Sequence, residues 1–560
     1  MRRVATVLLF TTILSSFASG QSKKHRPPAP VKLSAPVFAA LQKVNPENIR
    51  AHVKFLADDL LEGRGTGQRG GDIAGLYIAT QFALYGLKPA GDNGTFLQKV
   101  PMVGITPGDT TTFSLVAGTH TNELKPLDQY VAYDETQKQE SDIDAQIVYV
   151  GYGIDAPEYN WDDYKGVDVK GKALLMLVNE PPSDDPKFFK GSALTYYGRW
   201  TYKYEEAARR GAVGAILIHK TDMASYPWEV VRNSNSGEKS FLQLDGSPKL
   251  HAAAWIQLDV AHQIAQASGL NLNKMMQDAR SRDFHPVALP VRLKAHMVSK
   301  IRPFSSNNVL AILPGRDSRL RDEAVIYTAH YDHLGIRPDM PGDNIYNGAD
   351  DNATGCGIVL ELARVFSEAS ERPKRSILFA SVTGEEQGLL GSEYLGKHPP
   401  IPADKIALDL NFDDLPPLGA PEEVEVSGAE RTDFYPTVQA MAKDFRLAIR
   451  PDSRPEAGHY YRSDHFSLAR VGIPSFSISE GMKFKGHDLA WGMEQAEDYT
   501  EHRYHQPSDE YKPSMDFTAD AAMARFGFAL GWAAAEQSNL IQWEKGDEFE
   551  KARVAATGIH

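Results

Sequence analysis

From Asn308 onward, short apolar runs alternate with helical ones, and this alternation restricts the fold more than any other feature of the chain. NVLAILPG, AVIYTAH, SILFASV and IALDLNF read as strands, with GIVLELARVFSEA and GLLGSEYLGKH as the helices between them. IPSFSIS, after Gly472, reads as another buried strand, and Phe517 to Gln537 as a last long helix. Apolar strands without polar alternation are covered on both faces, and strand–helix–strand connections call for parallel pairing. The expected fold class is therefore α/β, a mixed, largely parallel sheet with helices on both faces. Ligands of such sheets bind beyond the carboxyl ends of the strands.

Those ends carry imidazoles and carboxylates. AVIYTAH ends on His330, with Asp332 two residues on; NGADD places Asp351 where the next helix begins; SILFASV runs into Thr-Gly-Glu385-Glu386; IALDLNF ends on Asp413. His505, in RYHQPSDEY, precedes the final helix. Each is ordinary alone, as a solvated acid or a surface histidine. Together at successive strand ends they suit divalent metal. Zinc takes imidazole and carboxylate ligands, and a shared carboxylate can bridge two ions while leaving a position open for water. In the Glu385–Glu386 pair one residue can ligate while its neighbour faces the water as a general base. Asp332 can accept the second imidazole N–H of His330 and fix its orientation. Asp414 competes with Asp413 for the same role, whereas Asp409, four residues back on the strand, is too far from the edge.

The rest of the chain reads as that of an exported protein. Met1-Arg2-Arg3, an apolar run to Phe17 and Ala18-Ser19-Gly20 have the form of a signal peptide over 1–20, which predicts a secreted or periplasmic location. Residues 21–35 read as a disordered lead, and no later stretch is apolar enough to span a bilayer. A formal charge of −13 argues against a nucleic-acid partner. Cys356 is the single cysteine, on the apolar side of a helix, so no internal disulfide is expected. Residues 36–134 begin with helical periodicity interrupted by LEGRGTGQRGG, a break read as a turn bringing Arg64 to the core rather than a phosphate loop, since it lacks a Lys-Ser/Thr ending. Short strands over 135–295 suggest an inserted β-rich domain that gates the site; 296–560 carry the metal residues and end in a charged, loosely held tail. No G-x-S-x-G elbow stands at the strand ends, which argues against a serine hydrolase.

AHYDHLG, GADDNATG, TGEEQGLLGS, LNFD and YHQPSD resemble the di-zinc aminopeptidase family, which includes bacterial leucyl aminopeptidases, glutamate carboxypeptidase-like enzymes and glutaminyl cyclases. FLADDLLEGRGTG is similar to that family's opening, and the 135–295 segment resembles a protease-associated domain. The resemblance implies the three-layer zinc-peptidase fold and two Zn2+ ions. His330 and Asp413 would hold one, Glu386 and His505 the other, and Asp351 would bridge, with a cis peptide bond after it. Glu385 would be general base and then acid, and Asp332 would orient His330. Within HYYRSDHFSLARVGIPS, Tyr460, Tyr461 and Arg462 would line the pocket; His465 would either bind the tetrahedral intermediate or pack structurally. His487-Asp488 reads as loop structure. The implied activity is a zinc exopeptidase, an aminopeptidase acting on peptides or small proteins. Carboxypeptidase, glutaminyl cyclase and a non-catalytic receptor on the same fold are the alternatives.

Overall fold

The computed structural model describes residues 33–559 apart from 225, 339 and 453. The signal peptide expected at 1–20 and most of the lead at 21–35 lie outside the described residues.

The alternation after Asn308 folds as the pattern requires. Strand Ala324–His330 lies between Ser376–Val382 and Ile406–Asn411, parallel to both, and Ile406–Asn411 pairs in parallel with Ser475–Ser477. Ser376–Val382 pairs on its other side, antiparallel, with the end of a long strand, Val287–Leu313. Every residue of Ala324–His330, Ser376–Val382 and Ile406–Asn411 is buried. Helices cover the sheet, so no face is left to carry polar alternation. Helix Thr518–Glu536 lies directly on it: a Cβ on Gly527 would come 2.6 Å from the Phe412 ring, and one on Gly531 would strike the Tyr327 hydroxyl. Helix Pro46–Leu56, capped by the Asn45 side chain on Glu47 N, packs Ile49 and Val53 against Gly357 of helix Thr354–Ser367.

The register sets the site. His330 pairs with Val382 and Thr328 with Asn411, so three parallel strands end at one level. The residues that follow, Tyr331–Asp332, Thr383–Glu386 and Phe412–Asp413, emerge side by side at the carboxyl edge.

Val287–Leu313 is shared between two halves of one continuous sheet. It pairs with Glu140–Tyr149 through Val298, with Leu97–Pro107 over 299–309, and with the His330-bearing half at its end. Beyond Glu140–Tyr149 the strands Ala173–Leu177, Gly214–Ile218 and Ala252–Ile256 are parallel, and Tyr130–Tyr133 closes the edge antiparallel. This half holds separate apolar cores that reach back to Phe113 and Leu115, and helices such as Trp200–Arg209 and Leu258–Ala267 cover its strands. It is α/β in character, more helical than its short runs suggest. The charged tail is not loose. It forms helix Glu550–Thr557, whose Arg553 is 1% exposed and donates to the carbonyls of Ala403 and Ile541; ahead of it, Asp547 and Glu548 pair with Arg431. Among the described residues no helix is long and apolar enough to cross a membrane.

Candidate metal centre

Two groups of ligand atoms meet at the carboxyl edge. In one, His330 Nε2 lies 3.0 Å from Asp413 Oδ1 and 3.2 Å from Asp351 Oδ1. In the other, His505 Nε2 lies 3.2 Å from Asp351 Oδ2 and 3.2 Å from Glu386 Oε2. The two oxygens of Asp351 thus face different imidazoles. Ligand atoms about 2.0–2.1 Å from a tetrahedral zinc are about 3.3 Å apart, and all four separations fall close to that edge.

The loop holding Asp351 is fixed from below. Asp509 accepts from the backbone N–H groups of Asp350 and Asp351, and the Asn352 side chain donates to Phe412 O. The Asp351–Asn352 peptide bond is cis, as the family resemblance implies. Arg64, in the glycine-rich break, is fully buried at φ +50° and donates to Tyr331 O (2.7 Å), Leu56 O (2.7 Å), Gly348 O (2.8 Å) and Asn347 O. It ties the His330 strand end to the Asp351 loop, the placement expected for that turn.

Asp332 holds the site differently from the expectation. His330 Nδ1 lies 3.1 Å from the Asp332 backbone carbonyl, while the nearest carboxylate oxygen is 3.9 Å away. The carboxylate instead accepts from Thr66 Oγ1 and from Glu385 N, because the chain turns at Asp332 and carries its side chain towards the Glu385 loop. It orients that loop, and the main chain orients His330.

One residue escaped the sequence reading. His333 is 1% exposed, with Nδ1 2.6 Å from Glu386 Oε1 and 3.8 Å from Asp351 Oδ2. Neither ring nitrogen is aligned for a hydrogen bond. The signal was present in AHYDHLG, where a second imidazole follows Asp332 directly.

Charge explains what the cluster is suited to hold. Five carboxylates (Asp332, Asp351, Glu385, Glu386, Asp413) crowd three imidazoles in a largely buried space. Burial alone would depress His330, but Asp413, Glu385 and Asp351 outweigh it and raise the imidazole well above its ordinary range. Glu386 is drawn down to about 2: burial opposes ionisation, but His505 and His333 outweigh it. Glu385 moves the other way, well above the carboxylate range, through burial and its carboxylate neighbours. Concentrated buried negative charge is stabilised by paired cations or metal. The donor set and the edge lengths fit divalent ions held by His330, Asp351 and Asp413 on one side and by Asp351 and Glu386 on the other, where His333 and His505 both face the same carboxylates.

The competing acids separate cleanly. Asp413 is in the cluster, with Ser463 hydrogen-bonded to its other oxygen. Asp414, at φ +51°, turns away and accepts from Tyr499. Asp409 sits back in the sheet, bonded to Thr328, its carboxyl pushed up to about 8 by burial. Cys356 is buried beneath His330, its thiol pushed up to about 12 by burial and directed at the His330 carbonyl.

A cavity of about 460 Å³ opens over Glu385, Glu386 and His505. Tyr461 and Arg462 line it; Tyr460 and His465 do not. Tyr460 is buried with its hydroxyl on Ser475 O. His465 opens a short helix that turns its ring inward, 4.7 Å from the Tyr460 ring, and burial pushes its pKa down to about 3. His487 stacks on Trp491 and Asp488 caps helix Leu489–His502, so both are loop structure.

Imidazoles and carboxylates thus gather at the carboxyl edge of a parallel sheet in an α/β fold, a donor set suited to divalent metal. Residues 308–528 match the model of Peptidase family M28. A probable zinc metalloprotease of Pyrenophora tritici-repentis is 40% identical over 100 residues, 17% of this chain and 19% of that one. Leupeptin-inactivating enzyme 1 of Streptomyces exfoliatus is 29% identical over 197 residues, 34% of this chain and 42% of that one. The match thus spans about a fifth of the first of these relatives and about two fifths of the second. An aminopeptidase from Aneurinibacillus sp. strain AM-1 shares the fold, with TM-score 0.50 and 18% identity over 90% of this chain and 97% of that one.

Proposed function

We propose that the chain is a secreted or periplasmic zinc exopeptidase, an aminopeptidase, that binds two zinc ions and uses Glu385 as its general base. The observation that carries the reading is the placement of Asp351, whose two oxygens face His330 and His505 at 3.2 Å each. A carboxylate so placed would serve two ions, and Glu385 is the acid left over. His330 and Asp413 would hold one ion, and Glu386 and His505 the other, with His333 beside them. The zinc named for the Pyrenophora relative agrees with the mixed imidazole–carboxylate donor set.

Zinc, when bound, polarises the scissile carbonyl and acidifies the attacking water. Glu385, with Oε2 4.0 Å from His330 Nε2, is outside both ligand groups and lines the cavity. Its carboxylate takes the proton of the attacking water and returns it to the leaving nitrogen. Asp332, accepting from Glu385 N at 3.2 Å, holds that carboxylate over the substrate. The cavity is walled by the 131–255 segment, which suits a chain end rather than a passing polypeptide. Action at the amino end follows the fold neighbour's printed activity, and export follows the amino-terminal charge and apolar run.

Glu385→Gln tests the reading. Hydrolysis of aminoacyl reporter substrates should fall by about 10²- to 10⁴-fold, the usual contribution of a positioned base, while zinc content stays at the wild-type level. Unchanged hydrolysis would exclude Glu385 as the base. A parallel panel of free-amine and free-carboxyl blocked peptides separates aminopeptidase from carboxypeptidase.

A further inference from the structure

We propose that Arg199 and Arg462 form a clamp for a substrate carboxylate, so that the site selects peptides carrying a carboxylate near the scissile bond. The clamp rests on the peptidase reading and adds the substrate class. The cavity above Glu385 and His505 has two walls. Arg462 comes from the metal-bearing half, Arg199 from the 131–255 segment, where it immediately precedes helix Trp200–Arg209.

The other cations of the cavity face a carboxylate of their own. Arg470 pairs with Glu205 at 2.8 Å. Lys239 lies 5.0 Å from the Trp200 ring and 5.7 Å from that of Tyr133, and both Lys239 and Lys249 act on the Glu135 carboxylate. Arg199 and Arg462 have no carboxylate among the described residues. Among the described residues the Arg199 Nε is buried without a hydrogen-bond partner, and the Arg462 guanidinium donates to Ala457 O alone, at 2.8 Å. Burial and the charge of Arg462 push Arg199 down to about 10, and both guanidiniums act on the Tyr226 hydroxyl. Arg199 is partly buried and Arg462 exposed at the cavity's edge; like charges facing one cavity repel, and an anion between them relieves that repulsion. A carboxylate matches the planar guanidinium fork and accepts charge-assisted bonds from each.

The carboxylate has two sources: the carboxyl terminus of a short peptide, or an Asp or Glu side chain of a longer one. The test uses three probes: a neutral dipeptide, its carboxamide, and a carboxamide with Glu in the second position. Each is measured as a substrate and as a reduced-bond, uncleavable analogue by calorimetry, on the wild type, Arg199→Met and Arg462→Met. Hydrogen bonds to charged groups predict that the clamped probe exceeds the neutral carboxamide about 10- to 100-fold in kcat/KM and in affinity. That ratio should fall towards unity in either variant. Preference for the free dipeptide identifies the terminal carboxylate as the source; preference for the Glu carboxamide identifies the side chain. Equal binding of all three, or a preference that survives both substitutions, overturns the clamp. A zinc-loaded wild type that binds the analogues selectively yet cleaves no probe overturns the peptidase reading instead, with the clamp upheld.

Discussion

Removing the Arg64 guanidinium should loosen the metal site without touching a ligand. Arg64→Met keeps the length of the side chain and deletes donors to four main-chain carbonyls, those of Tyr331, Leu56, Asn347 and Gly348. Leaving a buried acceptor unsatisfied costs about 1–3 kcal/mol. Some of the four would recover water, so the low end applies to each, and the sum is about 4 kcal/mol. Against the usual total of about 5–15 kcal/mol that is a large loss. Its second effect is on metal, because the freed carbonyls lie on the His330 strand end and on the loop just before Asp351. Urea denaturation at fixed zinc, followed by tryptophan fluorescence, measures the first effect; competition with a chromophoric chelator measures the second. Arg64→Lys should recover only part of the loss, since an ammonium has three donors and no planar fork. A stability change below about 1 kcal/mol in Arg64→Met, with zinc affinity unaltered, would refute the account of how the two loops are held, because even one orphaned carbonyl exceeds it.

Two further outcomes follow from the same coordinates. Asp413→Ala should weaken zinc binding by more than about 100-fold, since even a hydrogen-bonded neighbour of a ligand is worth about 10- to 100-fold, whereas Asp414→Asn should change it only a few-fold; reversed results in a chelator titration would reassign the ligand. Asp520, fully buried in helix Thr518–Glu536, has its carboxyl pushed up to about 8 by burial. Its unfolded value is about 3.9, so between the two the folded chain holds the proton, the unfolded chain does not, and stability is lost as pH rises. Asp520→Asn removes that dependence, and its stability relative to wild type should improve by up to about 1.4 kcal/mol per pH unit between pH 5 and 8; a pH-independent difference in denaturation midpoints would contradict it.

The fold of the carboxyl-terminal half was legible because each strand is a short, wholly apolar run and each connection has helical period. The clustering of the candidate site residues was legible because a sheet edge is a linear feature: His330, Glu385, Glu386 and Asp413 lie at or just past their strand ends, and register brings them level. What sequence order does not carry is direction. Asp332 was placed correctly but its carboxylate points at Thr66 and Glu385, and His465 lies in a pocket-like stretch but turns inward. His333 stands in the same motif as His330, and sequence order alone does not show that its ring turns towards Glu386. The tail was misread since its acids are paired: Asp547 and Glu548 meet Arg431, more than a hundred residues away in the chain. The pairing of Phe113 with the 135–295 core was hidden for the same reason, being made by long-range strand register.

Counting metal on the purified, folded chain tests the central claim most directly. Elemental analysis after zinc loading and gel filtration should give two zinc ions per chain, with anomalous scattering placing them between His330 and Asp413 and between Glu386 and His505. A folded sample that retains no zinc, or that cleaves peptides equally well after exhaustive chelation, would contradict it.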